Sequence, residues 1–259
     1  MLPREDLLKG VENRETVARV IDQAEKAIKT WEVVVSDFLS PPESAEVQRA
    51  FGRLTDVQII GSGGYAQAER QRVAIARSEL PLDAAQVELA ALEVAGNFLF
   101  DPATHRDFLG AILGTGIVRE KVGDIIVLGE RGAQVIVVPE LVDFLQTSLN
   151  QVRSVPVKTQ AIELSELKIR EPKKKEITTV EASMRLDAIA SAGFGMSRSK
   201  MADLISAGDV RVNWKETTSA SQSVKPGDLI AIRGKGRVEV GEMMVTKKDR
   251  YRVQMTRFV

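Results

Sequence analysis

The chain has 259 residues, 44% of them apolar, enough for two or three domains with real cores. It has no cysteine and one histidine, His105, so disulfides, thiolate zinc sites, cysteine nucleophiles and any mechanism needing a histidine pair are excluded. The net charge of zero conceals an asymmetry: residues 166–259 hold 19 Lys and Arg against 12 Asp and Glu, a balance of +7, whereas residues 1–165 hold 17 against 24, a balance of −7.

In chain order, the first ten residues are charged from Arg4 onward and lack the apolar core of a signal peptide. No run of about 18 apolar residues occurs, so no membrane insertion is expected and the cytoplasm is the simplest location. Val17, Val20, Ile21, Ala24, Ala27 and Ile28 recur at helical spacing, flanked by Glu25, Lys26 and Lys29. Pro41-Pro42 breaks the chain, and Pro42 with Glu43 starts a second helix through Val47 and Phe51. Val57, Ile59 and Ile60 read as a strand, and Arg72 to Ala76 as another. Residues 1–80 are thus expected to form an N-terminal α/β domain, or a helical, α+β one. Between its strands, Gly61-Ser62-Gly63-Gly64-Tyr65 lacks the Gly-Lys-Ser/Thr ending of a P-loop and the spacing of a dinucleotide fingerprint. A tight turn with positive φ is the better reading. Arg70 and Arg72 beside it are candidate contacts to a large RNA.

Residues 81–165 follow a βαββαβ order. A strand near Val87–Phe98, a helix from Pro102 to Leu113 and a strand at Ile125–Val127 come first. A turn at Glu130-Arg131-Gly132 leads to a strand at Gln134–Val138, a helix over Glu140–Leu149 and a last strand over Val152–Ile162. This is a ferredoxin-like, RRM-like arrangement, common to many RNA-recognition domains and many unrelated ones. Its third strand carries no Phe or Tyr to stack on a base, so this sheet is not expected to read single-stranded RNA. His105, Arg106 and Asp107 are adjacent on one helix and therefore face different ways, which argues against a catalytic group. A cap or an RNA contact suits His105 better. Arg106, Arg119 and Lys121 are candidate phosphate contacts, with solvated surface an equal alternative.

Residues 166–180 contain Glu171-Pro172-Lys173-Lys174-Lys175-Glu176 and read as an exposed linker. Residues 181–259 carry two short helices, one with Leu186, Ile189 and Ala190 inward, the next with Met201, Leu204 and Ile205. Ser197 is placed to cap the second helix, and Gly208 lies just past its end. Arg198 and Lys200 then fall in the first turn, where the helix dipole disfavours cations. An anion site tolerates that cost, because backbone N–H groups and basic side chains converge on one phosphate. Arg211, Lys215, Arg233, Lys235 and Arg237 complete a basic set in which Arg185 leads, with Ser199 and Asn213 as polar members of the same candidate RNA-binding group. The tail from Asp249 alternates as a strand with one basic face, to which Arg252 and Arg257 belong. An acidic body carrying a basic nucleic-acid-binding part fits the charge asymmetry; so do two independently soluble domains.

Arg185-Leu186-Asp187, Ser197-Arg198-Ser199-Lys200, Gly208-Asp209-Val210-Arg211-Val212-Asn213 and the basic turn to Arg237 come in one order that resembles the S-four (αL-type) RNA-binding domain, first named from ribosomal small-subunit protein four. By that resemblance Arg185, Ser197, Arg198, Lys200, Arg211 and Asn213 face RNA, and Leu186, Leu204, Ile205 and Val212 are core. His105-Arg106-Asp107-Phe108-Leu109-Gly110-Ala111, the run from Gly116 to Ile125, and Gly63-Gly64-Tyr65 with Ala68-Glu69-Arg70 resemble the YlmH family over nearly the whole chain. The likeness extends to its cyanobacterial and plastid subgroup, labelled photosystem II S-four domain proteins. The resemblance implies an α+β, non-enzymatic, ribosome-associated protein binding structured RNA (ribosomal RNA or tRNA on the ribosome), with no metal or organic cofactor. An RNA-modifying enzyme is the rival, because Arg185-Leu186-Asp187 superficially resembles the catalytic triplet of pseudouridine synthases, yet no large catalytic domain follows it. A photosystem II assembly or regulatory factor acting through RNA is the third reading.

Overall fold

A single helical turn, α1 (Arg4–Leu7), leads into α2 (Arg14–Thr30), where Val17, Val20, Ile21, Ala24 and Ala27 share one buried face. After β1 (Val34–Val35), α3 (Pro41–Phe51) starts one residue earlier than its sequence suggested. Ser40 caps it, and the Ser40 amide donates to the Glu43 carboxylate at 2.7 Å. Buried Glu46 accepts the backbone amides of Glu12 and Asn13 at 2.9 Å each, which ties α3 to the start of α2. Strands β2 (Val57–Ser62) and β3 (Arg72–Arg77) complete an antiparallel sheet in the order β1-β3-β2. Antiparallel pairing makes this segment α+β, the second of the two types expected.

The next strand, β4 (Ala90–Ala95), is shorter than its apolar run. Helix α4 (His105–Gly114) begins only after Thr104, whose amide donates to Asp107 at 2.8 Å. Then come β5 (Val122–Val127), β6 (Gly132–Val137) and α5 (Val142–Ser148), the last preceded by a 3-10 turn at Pro139–Leu141. The expected last strand breaks into β7 (Gln151–Val152), β8 (Val155–Pro156) and β9 (Lys158–Ile162), because Arg153 takes a positive φ of 54° and reverses the chain. The main sheet runs β5-β6-β4-β9, every neighbour antiparallel. Phe98, Phe108, Ile112 and Leu145 fill the space between it and its helices. On its other face Ile136 and Val138 pack on Phe38.

In the C-terminal segment β10 (Lys174–Glu181) precedes α6 (Leu186–Phe194) and α7 (Arg198–Ser206). Five strands follow: β11 (Val210–Val212), β12 (Lys215–Glu216), β13 (Leu229–Ile232), β14 (Gly236–Val245) and β15 (Tyr251–Phe258). They form an antiparallel sheet ordered β10-β15-β14-β13-β11-β12. Strand β10 corrects the linker reading: Lys174–Glu181 pairs residue for residue with Phe258–Tyr251. Its lysines mark an edge strand protected by charge, not a free tether. Leu186, Ile189, Phe194, Met201 and Ile205 bury against Val210, Ile230, Val238, Val253 and Met255. The computed structural model describes residues 2–169, 173–232 and 234–258, in two compact units, Met1–Ile169 and Arg170–Val259. Arg233 and the Glu171-Pro172 part of the linker lie outside the described residues.

Candidate nucleic-acid interface

Helix α6 starts at a closed end: the amides of Leu186 and Asp187 donate to the carbonyls of Gln222 and Ala220 at 2.8 and 3.1 Å. What remains available there is side chain. Asp187, 8% exposed, accepts Nε and Nη2 of Arg185 at 3.1 and 3.0 Å and Nη2 of Arg198 at 3.1 Å. One buried carboxylate thus holds two guanidiniums whose side chains stay 44% and 56% exposed. The bonds from Arg185 first, then those from Arg198, keep Asp187 below the usual carboxylate range despite its burial. The cluster carries a net charge of +1, with both cations fixed in direction.

Helix α7 begins beside it. Ser197 caps it as expected, its Oγ accepting the Lys200 amide at 3.3 Å. Arg198, Ser199 and Lys200 are all exposed in the first turn, which contains no acidic residue of its own. Arg185, Ser197, Arg198, Ser199 and Lys200 are therefore brought together.

The strand candidates separate from that group. Val210 and Val212 are buried against the helices, so Arg211 between them points to the opposite face of the sheet. Arg211 and Arg237 flank Ala231 in the same cross-strand row, and the Arg237 guanidinium lies 5.8 Å from the Trp214 ring. Lys215 follows on short β12, and Lys235 is exposed on the β13–β14 turn. Asn213 has a role in the fold. Its φ is 50°, that of Trp214 is 69°, and the pair forms the two-residue turn between β11 and β12. The Asn213 side chain donates to Asp228 at 2.8 Å and accepts the Leu229 amide at 2.9 Å. One donor and one acceptor of this exposed carboxamide thus brace the turn.

In the other unit most of the candidate cations are structural. Arg72, 5% exposed, donates Nε to the Ser36 carbonyl at 2.8 Å and Nη1 to the Glu88 carbonyl, which removes it from any RNA surface. Arg70 donates to the carbonyls of Val122 and Phe38, both at 3.0 Å. Arg119 bonds the carbonyls of Val122 and Gly123; burial, then neighbouring Arg70, lower it to about 10, still charged at neutral pH. Lys121 pairs with Asp37 at 2.6 Å. His105 and Arg106 stay on the surface at the start of α4, and partial desolvation, then Arg119, lower the His105 imidazole.

The glycine-rich turn has a mechanical explanation. Gly64 takes φ 90°, and a Cβ on Gly63 would collide with the Arg70 carbonyl and Ala68. Asp124 then fastens the loop, accepting the Tyr65 hydroxyl at 2.8 Å and the amides of Glu69 and Arg70 at 2.7 and 3.1 Å. The Gly-Gly-Tyr, Ala-Glu-Arg and Gly-Asp-Ile pieces quoted from the sequence are one packed assembly.

Two features escaped the sequence reading. Asp187 organises the two arginines, and its only local signal was the spacing to Arg185. Trp214 sits in a positive-φ turn beneath Arg237, a position composition does not reveal.

A basic, αα-plus-sheet module of this kind defines an S4-type RNA-binding protein. Family models match the chain in three places: the N-terminal domain of YlmH at residues 12–80, an RNA-binding domain in YlmH at 83–166, and the S4 domain at 184–230. A curated relative, ribosome-associated protein quality control protein P2 of Bacillus subtilis (strain 168), is 35% identical over 228 residues, 88% of either chain. Small ribosomal subunit protein uS4 of Kosmotoga olearia is 42% identical over 57 residues, 22% of this chain and 27% of its own. The solved structure of cell division protein ylmH from Streptococcus pneumoniae matches with a TM-score of 0.54 at 21% identity, covering 62% of this chain and 96% of its own, a likeness of fold. The chain belongs to the YlmH family. Among its described residues no helix is long and apolar enough to cross a membrane.

Proposed function

We propose that this chain is a non-enzymatic RNA-binding protein that docks on structured RNA of the ribosome, in ribosome-associated quality control. The observation that carries the reading is the Arg185–Asp187–Arg198 cluster beside the Ser197-capped start of α7 with Lys200. Two oriented guanidiniums, an ammonium and a helix N-terminus form a phosphate-sized positive site. A-form RNA hides its base edges from side chains, so such a site grips shape and phosphate rather than sequence. The relative named for ribosome-associated quality control supports the setting. His105 and Arg106 are surface candidates for further contacts; Arg211, Lys215, Lys235 and Arg237 would meet RNA only if it wraps to the sheet face or its edges. We read the middle βαββαβ segment as ferredoxin-like and as support for this contact.

The non-enzymatic reading rests on Asp187. Three N–H donors from two arginines occupy its oxygens, which leaves a positioning group rather than a nucleophile. The narrower photosystem II subgroup is carried by the motif likeness quoted above, and ribosome profiling of a deletion strain separates a defect confined to photosystem transcripts from general stalling. The direct test is sedimentation of the full chain with ribosomal particles through a density gradient, followed by crosslinking to RNA. Comigration and crosslinks at α6 and α7 are expected; wild-type protein left at the top of the gradient overturns the proposal.

A further inference from the structure

Strands β14 and β15 pair from Arg237↔Phe258 out to Val245↔Tyr251, with a bulge between Val240 and Met243, and beyond the last pair lies a five-residue turn, Thr246 to Arg250. The turn is built, not loose. The Thr246 amide donates to the Arg250 carbonyl at 2.7 Å, the Arg250 amide to Thr246 Oγ1 at 3.2 Å, and Asp249 takes φ 49°. Lys247, Lys248 and Arg250 stand exposed on it, with Arg252 on the strand just behind, and none of the four side chains makes an ion pair or hydrogen bond among the described residues. Glu242 and Asp249 are the nearby carboxylates in the hairpin, so the segment keeps an excess of two positive charges. Its last strand residues are apolar and uncovered: Met243, Met244 and Val245 are 36%, 54% and 64% exposed. An isolated apolar end on a water-facing hairpin has no folding rationale, and a rim of cations says what it meets.

Topology places this tip at the docking end of the module. Glu181 pairs with Tyr251, the tip-side residue of β15, and four residues later the chain reaches Arg185. Helix α6 then runs back along the sheet, so that Gly193 approaches Val238 and Met255 and the Phe194 carbonyl receives Arg257 at the far end. Arg185 and Asp187, with the guanidinium of Arg198, therefore share the end of the sheet from which the tip projects.

We infer that the β14–β15 tip is a second RNA-contact element, with Lys247, Lys248 and Arg250 on phosphates and Met244 laid against a sugar edge of a shallow A-form minor groove. This rests on the RNA-binding reading above and extends it to a site outside the helices.

The test uses the full chain and a fluorescein-labelled RNA stem-loop with an internal bulge, titrated by anisotropy over a range of salt. Replacing Lys247, Lys248 and Arg250 together by alanine should weaken binding by about tenfold or more at low salt and flatten the log–log salt slope by roughly 2 to 3. Met244→Ser should weaken binding about two- to fivefold with the slope unchanged. Thermal unfolding of both variants should match wild type, since the substituted side chains support no internal bond. If Arg198→Ala with Lys200→Ala weakens binding and the triple variant does not, the tip inference fails and the helix site stands. If neither variant weakens it, both fail. Binding of the wild-type protein to phosphatidylglycerol vesicles that the triple variant loses, with RNA binding unaltered, also overturns it and makes the tip a membrane contact.

Discussion

Replacing Asp187 by asparagine separates positioning from charge, because the two predict opposite signs. The substitution keeps shape and raises the net charge of the interface by one. Counting charge alone, a carboxylate removed about 8 Å from a phosphate favours binding by roughly 0.5 kcal/mol in water, and less in salt. Against this, asparagine presents an NH2 where Arg198 or Arg185 needs an acceptor, so at least one guanidinium is released. Re-ordering a released long side chain at an interface costs roughly 0.5–1.5 kcal/mol. With both arginines affected, the expected outcome is binding about fivefold weaker, near 1 kcal/mol. Stability should fall too. Buried Asp187 loses charge-assisted bonds whose partners are half in water, a discounted cost of about 1–2 kcal/mol. The bonds from Arg185 and Arg198 depress the Asp187 pKa, so its contribution is present above the ordinary aspartate value of about 3.9 and is lost as pH falls through its lower folded value. The melting gap between wild type and variant should hold at neutral pH and close below about pH 4. Anisotropy with the RNA stem-loop and melting curves across pH read both effects. Tighter binding by Asp187→Asn, or identical melting at pH 7, refutes the positioning role.

Other substitutions distinguish fold from interface. Asn213→Ala should destabilise the C-terminal unit by about 1–2 kcal/mol, through the lost bonds to Asp228 and Leu229 and the strained positive φ, while leaving the salt slope of RNA binding unchanged; a flatter slope would return Asn213 to the interface. Arg72→Ala should cost about 2–3 kcal/mol in urea unfolding by leaving the Ser36 and Glu88 carbonyls without their partner, with RNA affinity of the folded protein unaffected. Burial raises the Glu46 pKa, but the amides of Glu12 and Asn13 outweigh it and the net shift is downward. Its stabilisation is therefore full above about pH 4.5 and lost as pH falls through the lower folded value, and Glu46→Gln should melt lower than wild type at pH 7 with the gap closing in acid.

Local signals were legible and distant partners were not. The face of α2, the Ser197 cap, strands β2 and β3 and the stop at Gly208 each depend on residues within a few positions of one another. Strand β10 was invisible, because its partner β15 lies about 75 residues away and its lysines carry the composition of a linker. Arg72 looked like surface until carbonyls from Ser36 and Glu88 closed around it. For the site, the first-turn cations of α7 could be read from the sequence. That Asp187 would collect Arg185 and Arg198, while Arg211 turned to the other face, depended on how α6, α7 and β11 pack.

The most direct measurement is the salt dependence of binding to ribosomal RNA for the wild-type chain and for Arg198→Ala/Lys200→Ala. If about five cations meet phosphates, log affinity falls against log salt with a slope of roughly −3 to −5, and the double variant binds more weakly with a slope flatter by about two. Equal affinity and equal slope for the two proteins would contradict the placement of the RNA site at the start of α6 and α7.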